Sequence, residues 1–137
     1  MNYNVPIVGR VKNKPSIIHK LLRKRNEDQG NYPINKYLND LLGFRVIDQN
    51  YHENLSDAIK YIEHLKSNGV RIINKERHTS DYKAYHIYFM GESNHCFPIE
   101  LQIWDSKHEQ SNIKSHEMYK KVYTNWLSKY QRNERRY

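Results

Sequence analysis

A chain of 137 residues, 28% of them charged and with a formal net charge of +8, has room for one domain, expected over 1–137. Cys96 is the only cysteine, which excludes an internal disulfide and a cysteine-rich zinc module. Only 37% of residues are hydrophobic, no apolar run approaches the ~20 residues of a membrane span and no secretory signal is recognisable, so a cytoplasmic protein with no membrane partner is expected.

The charge is unevenly placed. Residues 1–26 hold seven basic and no acidic side chains, and residues 111–137 hold seven basic and two acidic. The centre, 27–110, is acidic by thirteen to nine. Two basic ends suit a polyanion, either nucleotide phosphates or RNA, as well as an ordinary solvated surface.

In chain order, Gly9-Arg10-Val11-Lys12 is followed by Ser16 and Lys20, four donor side chains that could surround a triphosphate. A guanidinium such as that of Arg10 can also stack on a base. The glycines of a Walker loop are missing. Residues 16–25 read as a short helix with Ile17, Ile18, Leu21 and Leu22 on one stripe and Pro15 in its first turn. Residues 29–33 are a loop, 34–42 a short helix and 43–48 a strand. Asp40 stands at the mouth of that strand, where a carboxylate can hold Mg²⁺ or simply end a turn.

Leu55, Ala58, Ile59, Ile62 and Leu65 predict an amphipathic helix over 54–67, closed by Asn68-Gly69. A short strand at 70–73, a polar surface loop at 75–81 and strands at 82–90 and 97–104 follow. Residues 107–130 read as one or two helices, with a basic tail from about 128. The class is α+β: a small mixed sheet of about four to five strands flanked by helices. Alternation puts Glu100, Gln102 and Trp104 on one face of the last strand, and Tyr82, Ala84, His86 and Tyr88 together on its neighbour. A solvated face would account for such a polar set, but Glu100 and Gln102 interrupt a strongly apolar strand.

Taken in order, these segments resemble the synthetase domain of the RelA/SpoT family of (p)ppGpp synthetases, in a small, minimal form. Gly9-Arg10-Val11-Lys12, Ser16-Ile17 and Lys20 match the donor-nucleotide motif, and Asp40-Leu41-Leu42-Gly43-Phe44-Arg45 matches Asp-x-x-Gly-x-Arg. Tyr82-Lys83-Ala84-Tyr85-His86 and Glu100-Leu101-Gln102-Ile103 match the acceptor segment and the Glu-x-Gln-Ile strand, and His116 falls in the following helix.

The resemblance implies a nucleotidyltransferase-like fold and a GTP pyrophosphokinase-like enzyme of the stringent response. Such an enzyme moves the β,γ-pyrophosphate of ATP to the 3′-hydroxyl of GDP or GTP and releases AMP. It implies that Arg10 stacks on adenine while Lys12, Ser16, Lys20 and Arg45 hold the ATP phosphates. It places Mg²⁺ on Asp40 and Glu100, with Glu100 also the general base, and the acceptor on Tyr82, His86 and Gln102. Asp81, Trp104 and Asp105 depart from the family's Gly, Arg and Thr; the helices members usually carry upstream are expected to be absent, and the region after about 125 to be short for the C-terminal helices that help members form homo-oligomers. Two alternatives stay open: a weakly active or inactive nucleotide-binding regulator, and a relative acting on the tRNA 3′ end, for which Trp126, Tyr130 and Tyr137 among C-terminal cations could contact RNA.

Overall fold

Five strands form one mixed sheet in a computed structural model that describes residues 5–134. They are β1 (Ile7–Val11), β2 (Leu42–Asp48), β3 (Ile72–His78), β4 (Lys83–Phe89) and β5 (Ile99–Asp105), arranged β1-β2-β5-β4-β3. The central β2–β5 pair is parallel and the other three are antiparallel. The helices are α1 (Lys14–Asp28), α2 (Ile34–Tyr37), α3 (Tyr51–Ser67) and α4 (Glu109–Glu134). None is long and apolar enough to cross a membrane among the described residues.

The two sheet faces differ in chemistry. Helix α3 turns its predicted stripe of Leu55, Ile59, Ile62 and Leu65 onto one face, where Ile72, Tyr85, Ile87, Leu101 and Ile103 complete the core with Tyr51. Burial of these side chains, at ~25 cal/mol per Å² of apolar surface, is the main force fixing the strand register. The register places Arg10 opposite Gly43, Gly43 opposite Glu100, Arg45 opposite Gln102 and His86 opposite Gln102, all on the other face. That polar face looks toward α1 and α4.

Several boundaries differ from those read in the sequence. β1 forms by antiparallel pairing with β2 at residues read only as a donor motif; Ile7, Val8 and Val11 are exposed and give no alternating burial signal from which a strand could be read. β3 continues to His78 through residues read as a loop; a charged run is well suited to a sheet edge, which it shields from other chains. Helix α1 begins at Lys14 because the Asn13 side chain accepts the Ser16 amide at 2.9 Å. Helix α2 stops at Tyr37, α3 starts at Tyr51, and α4 runs unbroken to Glu134 through the stretch read as a tail. The side chains of Trp126 and Tyr130, and all of Tyr137, lie outside the described residues.

Candidate functional site

A cavity of about 630 Å³ lies between the polar sheet face, α1 and α4. Nine of the ten residues singled out from the sequence line it: Arg10, Lys12, Ser16, Lys20, Asp40, Tyr82, His86, Glu100 and Gln102. Segments more than 80 residues apart are brought together because β1 and β5 flank the same strand, β2. Gly43 lies between Arg10 and Glu100 in the register and has no side chain to intervene, so the guanidinium reaches within 4.0 Å of the carboxylate.

On the α1 side, Asp40 is clamped by two ammonium groups. Lys12 Nζ is 2.7 Å from one carboxylate oxygen and Lys20 Nζ 2.8 Å from the other, with Lys20 also donating to Asn39 at 2.9 Å. Burial works to raise the Asp40 pKa, but the two lysines outweigh it and hold the carboxyl below its ordinary value. Burial likewise dominates at Lys20 and lowers its pKa despite Asp40.

Around Glu100, an amide and an imidazole join the more distant Arg10 guanidinium. Gln102 Nε2 donates to Oε1 at 2.7 Å, and His86 Nδ1 lies 3.2 Å from Oε2. Burial pushes the Glu100 carboxyl up, yet these contacts and the Tyr88 hydroxyl bring its pKa below the usual value. In the His86 tautomer that carries its proton on Nδ1, that proton faces Glu100 and Nε2 accepts from the Tyr82 hydroxyl at 2.8 Å. Burial raises the Tyr82 phenol to about 12, so it stays a donor.

Rings close the cavity around Tyr82. Tyr82 meets His86, Trp104 and His116 edge-on at centroid distances of 5.8, 6.2 and 5.4 Å. Trp104 stacks on His116 at 5.7 Å, and burial, with Arg45 and Arg10 nearby, lowers the His116 pKa to about 4. Arg45 is the sequence-selected residue outside the cavity lining: its guanidinium carbon lies 3.8 Å from the Trp104 ring centroid.

The three departures separate cleanly. Trp104 is fully buried beneath the cavity. Asp105 points to the opposite face, where it accepts the Lys107 amide at 3.0 Å and caps the 3₁₀ turn Ser106–His108. Asp81 is exposed and accepts from Ser80 at 3.1 Å; its φ is not positive, so its backbone does not demand the family's glycine.

Sequence reasoning missed Arg77, which lines the cavity from β3 because that strand runs on to His78, into the stretch read as a loop. It also missed Asn112, fully buried on α4, which accepts the Lys83 amide at 2.9 Å and donates to the Lys83 carbonyl at 2.8 Å. The β4–β5 ladder ends at Tyr85–Ile103, so this carboxamide continues the pairing and ties the Tyr82 segment to α4. A lone asparagine in a polar helix carries no sequence signal of that role.

The family described as "Region found in RelA / SpoT proteins" matches residues 9–124. No curated protein matches the chain. Among solved structures, a GTP pyrophosphokinase family protein from Streptococcus pneumoniae superposes with a TM-score of 0.58 at 23% identity, covering 85% of this chain and 59% of that one. The small alarmone synthetase 1 from Bacillus subtilis superposes at 0.51 and 21% identity, covering 85% and 61%. The same enzyme bound to its product pppGpp gives 0.51 and 22%, covering 87% and 66%. At these identities the likeness is one of fold, and this chain spans roughly three-fifths of those chains' length.

Proposed function

This chain belongs to the RelA/SpoT family, and from that premise we propose that it transfers the β,γ-pyrophosphate of ATP to the 3′-hydroxyl of GDP or GTP, making (p)ppGpp and AMP. The observation that carries the reading is the convergence of nine motif residues on one cavity with eight cationic side chains against two carboxylates. Such a surplus suits two polyphosphates bound side by side.

In this reading the α1 side binds the donor. A triphosphate offers Lys12 and Lys20 new anionic partners, so their ammonium groups leave the Asp40 oxygens for the phosphate oxygens. Ser16 adds a hydroxyl donor and Arg10 stacks on the adenine. Arg45, from beneath, adds positive potential. On the other side Tyr82 stacks on guanine, while His86 and Gln102 shape the acceptor pocket and hold Glu100 in place. The acceptor 3′-oxygen attacks the β-phosphorus in line, the bond to the α,β-bridging oxygen breaks, and AMP departs. A Glu100 carboxylate oxygen receives the hydroxyl proton.

Asp40 and Glu100 would hold Mg²⁺, which when bound neutralises phosphate charge and polarises the phosphoryl group. The donor set fits that cation in kind. Both are hard oxygen ligands, and no cluster of three His, Cys, Asp or Glu occurs among the described residues. An ion that keeps water and takes substrate phosphates needs no more than two carboxylates.

The test is chromatography of nucleotides after incubation with ATP, Mg²⁺ and each purine acceptor in turn. AMP and a 3′-pyrophosphorylated guanosine nucleotide are expected; no consumption of ATP with any acceptor, beside a working synthetase control, rules the reading out. A second reading, a nucleotide-binding regulator, draws on Trp104 standing where members commonly carry Arg, and calorimetry showing binding without turnover would select it. Transfer to a tRNA 3′ end would instead appear as labelled RNA. The reaction is proposed for the cytoplasm, where ATP and guanosine nucleotides meet, with homo-oligomer formation open to measurement by light scattering.

A further inference from the structure

We propose that Trp104 is a positioning residue, whose indole N–H fixes the direction of the Gln102 carboxamide and thereby sets the acceptor side of the cavity. The proposal rests on the two-nucleotide reading above, but its central link is internal to the protein. Trp104 is fully buried, and its Nε1 donates to Gln102 Oε1 at 3.1 Å. An indole can only donate, so the carboxamide must turn its oxygen toward Trp104. Its amino group then faces Glu100, to which it donates at 2.7 Å. Reversing the amide would set two donors against each other at Trp104 and two acceptors against each other at Glu100, all of them buried.

The orientation carries on to Tyr82. Its hydroxyl lies 3.4 Å from Gln102 Oε1 and 2.8 Å from His86 Nε2, and it has one proton to give. Because Trp104 already supplies a donor to Oε1, that proton is free for the imidazole. Tyr82, His86, Gln102 and Glu100 thus form one directed chain, anchored at a donor that cannot reverse. Deleting the N–H leaves a buried amide oxygen that competes for the Tyr82 proton and pulls the phenol out of its bond to His86.

The face of the same ring lies against Arg45, and a substitution separates the two roles. Trp104→Phe keeps an aromatic face below Arg45 and removes the donor together with the indole's second ring, part of the packing against His116 and Tyr82, so the amide exchange of Gln102 is the readout that reports the donor itself. The residues clamping the donor side, Lys12, Lys20 and Asp40, bond among themselves and to Asn39, not to Trp104.

Two measurements on the full chain test this. In the free protein, the Gln102 side-chain amide should give a slowly exchanging NMR pair in the wild type and exchange at least ten-fold faster in Trp104→Phe. By calorimetry, Trp104→Phe should weaken GDP binding about ten-fold, equivalent to ~1.4 kcal/mol, with ATP binding changed less than two-fold. Gln102→Met breaks the same link from the other end and should reproduce the selective loss, and the double variant should add nothing further. An unchanged amide exchange rate, or equal weakening of both nucleotides, overturns the proposal. If the wild type binds neither nucleotide, the two-nucleotide reading fails, while the amide exchange still decides whether Trp104 orients Gln102. Should Trp104→Phe not fold, the wild-type amide exchange carries the test: a Gln102 side-chain amide that exchanges as fast as an exposed one sinks the idea.

Discussion

The two halves of the cavity are held by different forces. Near α1, long cationic side chains and Asp40 form ion pairs at 2.7 and 2.8 Å. Across the sheet, Tyr82, His86, Glu100, Gln102 and Trp104 are joined by hydrogen bonds and ring contacts, and all but Tyr82 are almost completely buried. Ion pairs on flexible stems can exchange partners, so a triphosphate can take over the lysines without rebuilding the backbone. A buried directed network cannot rearrange so cheaply, and it orients its groups before a ligand arrives. In the proposed reading, the donor half is built to exchange and the acceptor half to hold.

The largest expected effect comes from breaking the second half at its charge. Glu100→Gln removes the proposed base and one metal ligand but retains the volume and an oxygen for the Gln102 amide. Turnover should fall by about 10²–10⁴, the usual range for loss of a general base, while the circular-dichroism spectrum stays that of the folded chain and the melt falls by an amount matching ~1–3 kcal/mol, because the new amide nitrogen faces a buried donor. Retention of wild-type turnover would move the chemistry away from Glu100.

Asp40→Asn attacks the other half. It leaves two ammonium groups facing one neutral amide, at side chains only 13–18% exposed. Removing one partner of a buried pair costs about 3–5 kcal/mol, and access to the cavity's water should reduce this to roughly 2 kcal/mol by urea titration. An unchanged urea midpoint would show the clamp to be worth nothing in solution.

Acid should distinguish the halves by pH window. The Asp40 carboxyl is lowered in the fold, so its stabilisation is complete above the ordinary value of 3.8 and is lost as pH falls through the lower folded value. His116 is held neutral, its pKa lowered from 6.5 to about 4. Between those values the unfolded chain binds the extra proton, so stability falls as pH drops from 6.5 toward 4. The acceptor side should therefore weaken first. His116→Asn should flatten the urea midpoint between pH 6.5 and 4 while the wild type declines; parallel curves would contradict the assignment.

What was legible in the sequence follows the same division. Glu100 and Gln102 stood out because they break an apolar strand, and α3 because five apolar positions keep helical spacing. The donor motif was legible as a cluster of cations but not as a strand: exposed Ile7, Val8 and Val11 carry no burial alternation. Neither the clamping of Asp40 by both lysines nor the stacking of Arg45 on Trp104 could be read, since each depends on contacts 20 or more residues apart. Asn112 was invisible for a further reason. Its role is set by where the β4–β5 ladder stops, a property of two other segments. Asn112→Ala leaves the Lys83 amide and carbonyl without these partners and should cost about 1–3 kcal/mol, with GDP affinity falling more than ATP affinity because Tyr82 is the neighbouring residue. Equal loss of both affinities would show that α4 supports the whole cavity and not its acceptor half.

The smallest effect is expected at Asp81, the departure closest in sequence to Tyr82. Glycine at such a position would matter if the turn required a left-handed backbone, but among the described non-glycine residues only Gln29 has positive φ. The Asp81 side chain is exposed and, among the described residues, accepts a hydrogen bond from the neighbouring Ser80 hydroxyl. Asp81→Gly should therefore shift stability by no more than ~0.5 kcal/mol, in the direction of loss, because glycine gains more freedom in the unfolded chain. It removes one negative charge near a cavity lined by cations, so in the proposed reading acceptor affinity should rise slightly at low salt and return to the wild-type value as salt screens the difference. A large gain that survives high salt would mean that Asp81 distorts the Tyr82 turn, and the acceptor half would then be less pre-formed than its hydrogen bonds imply.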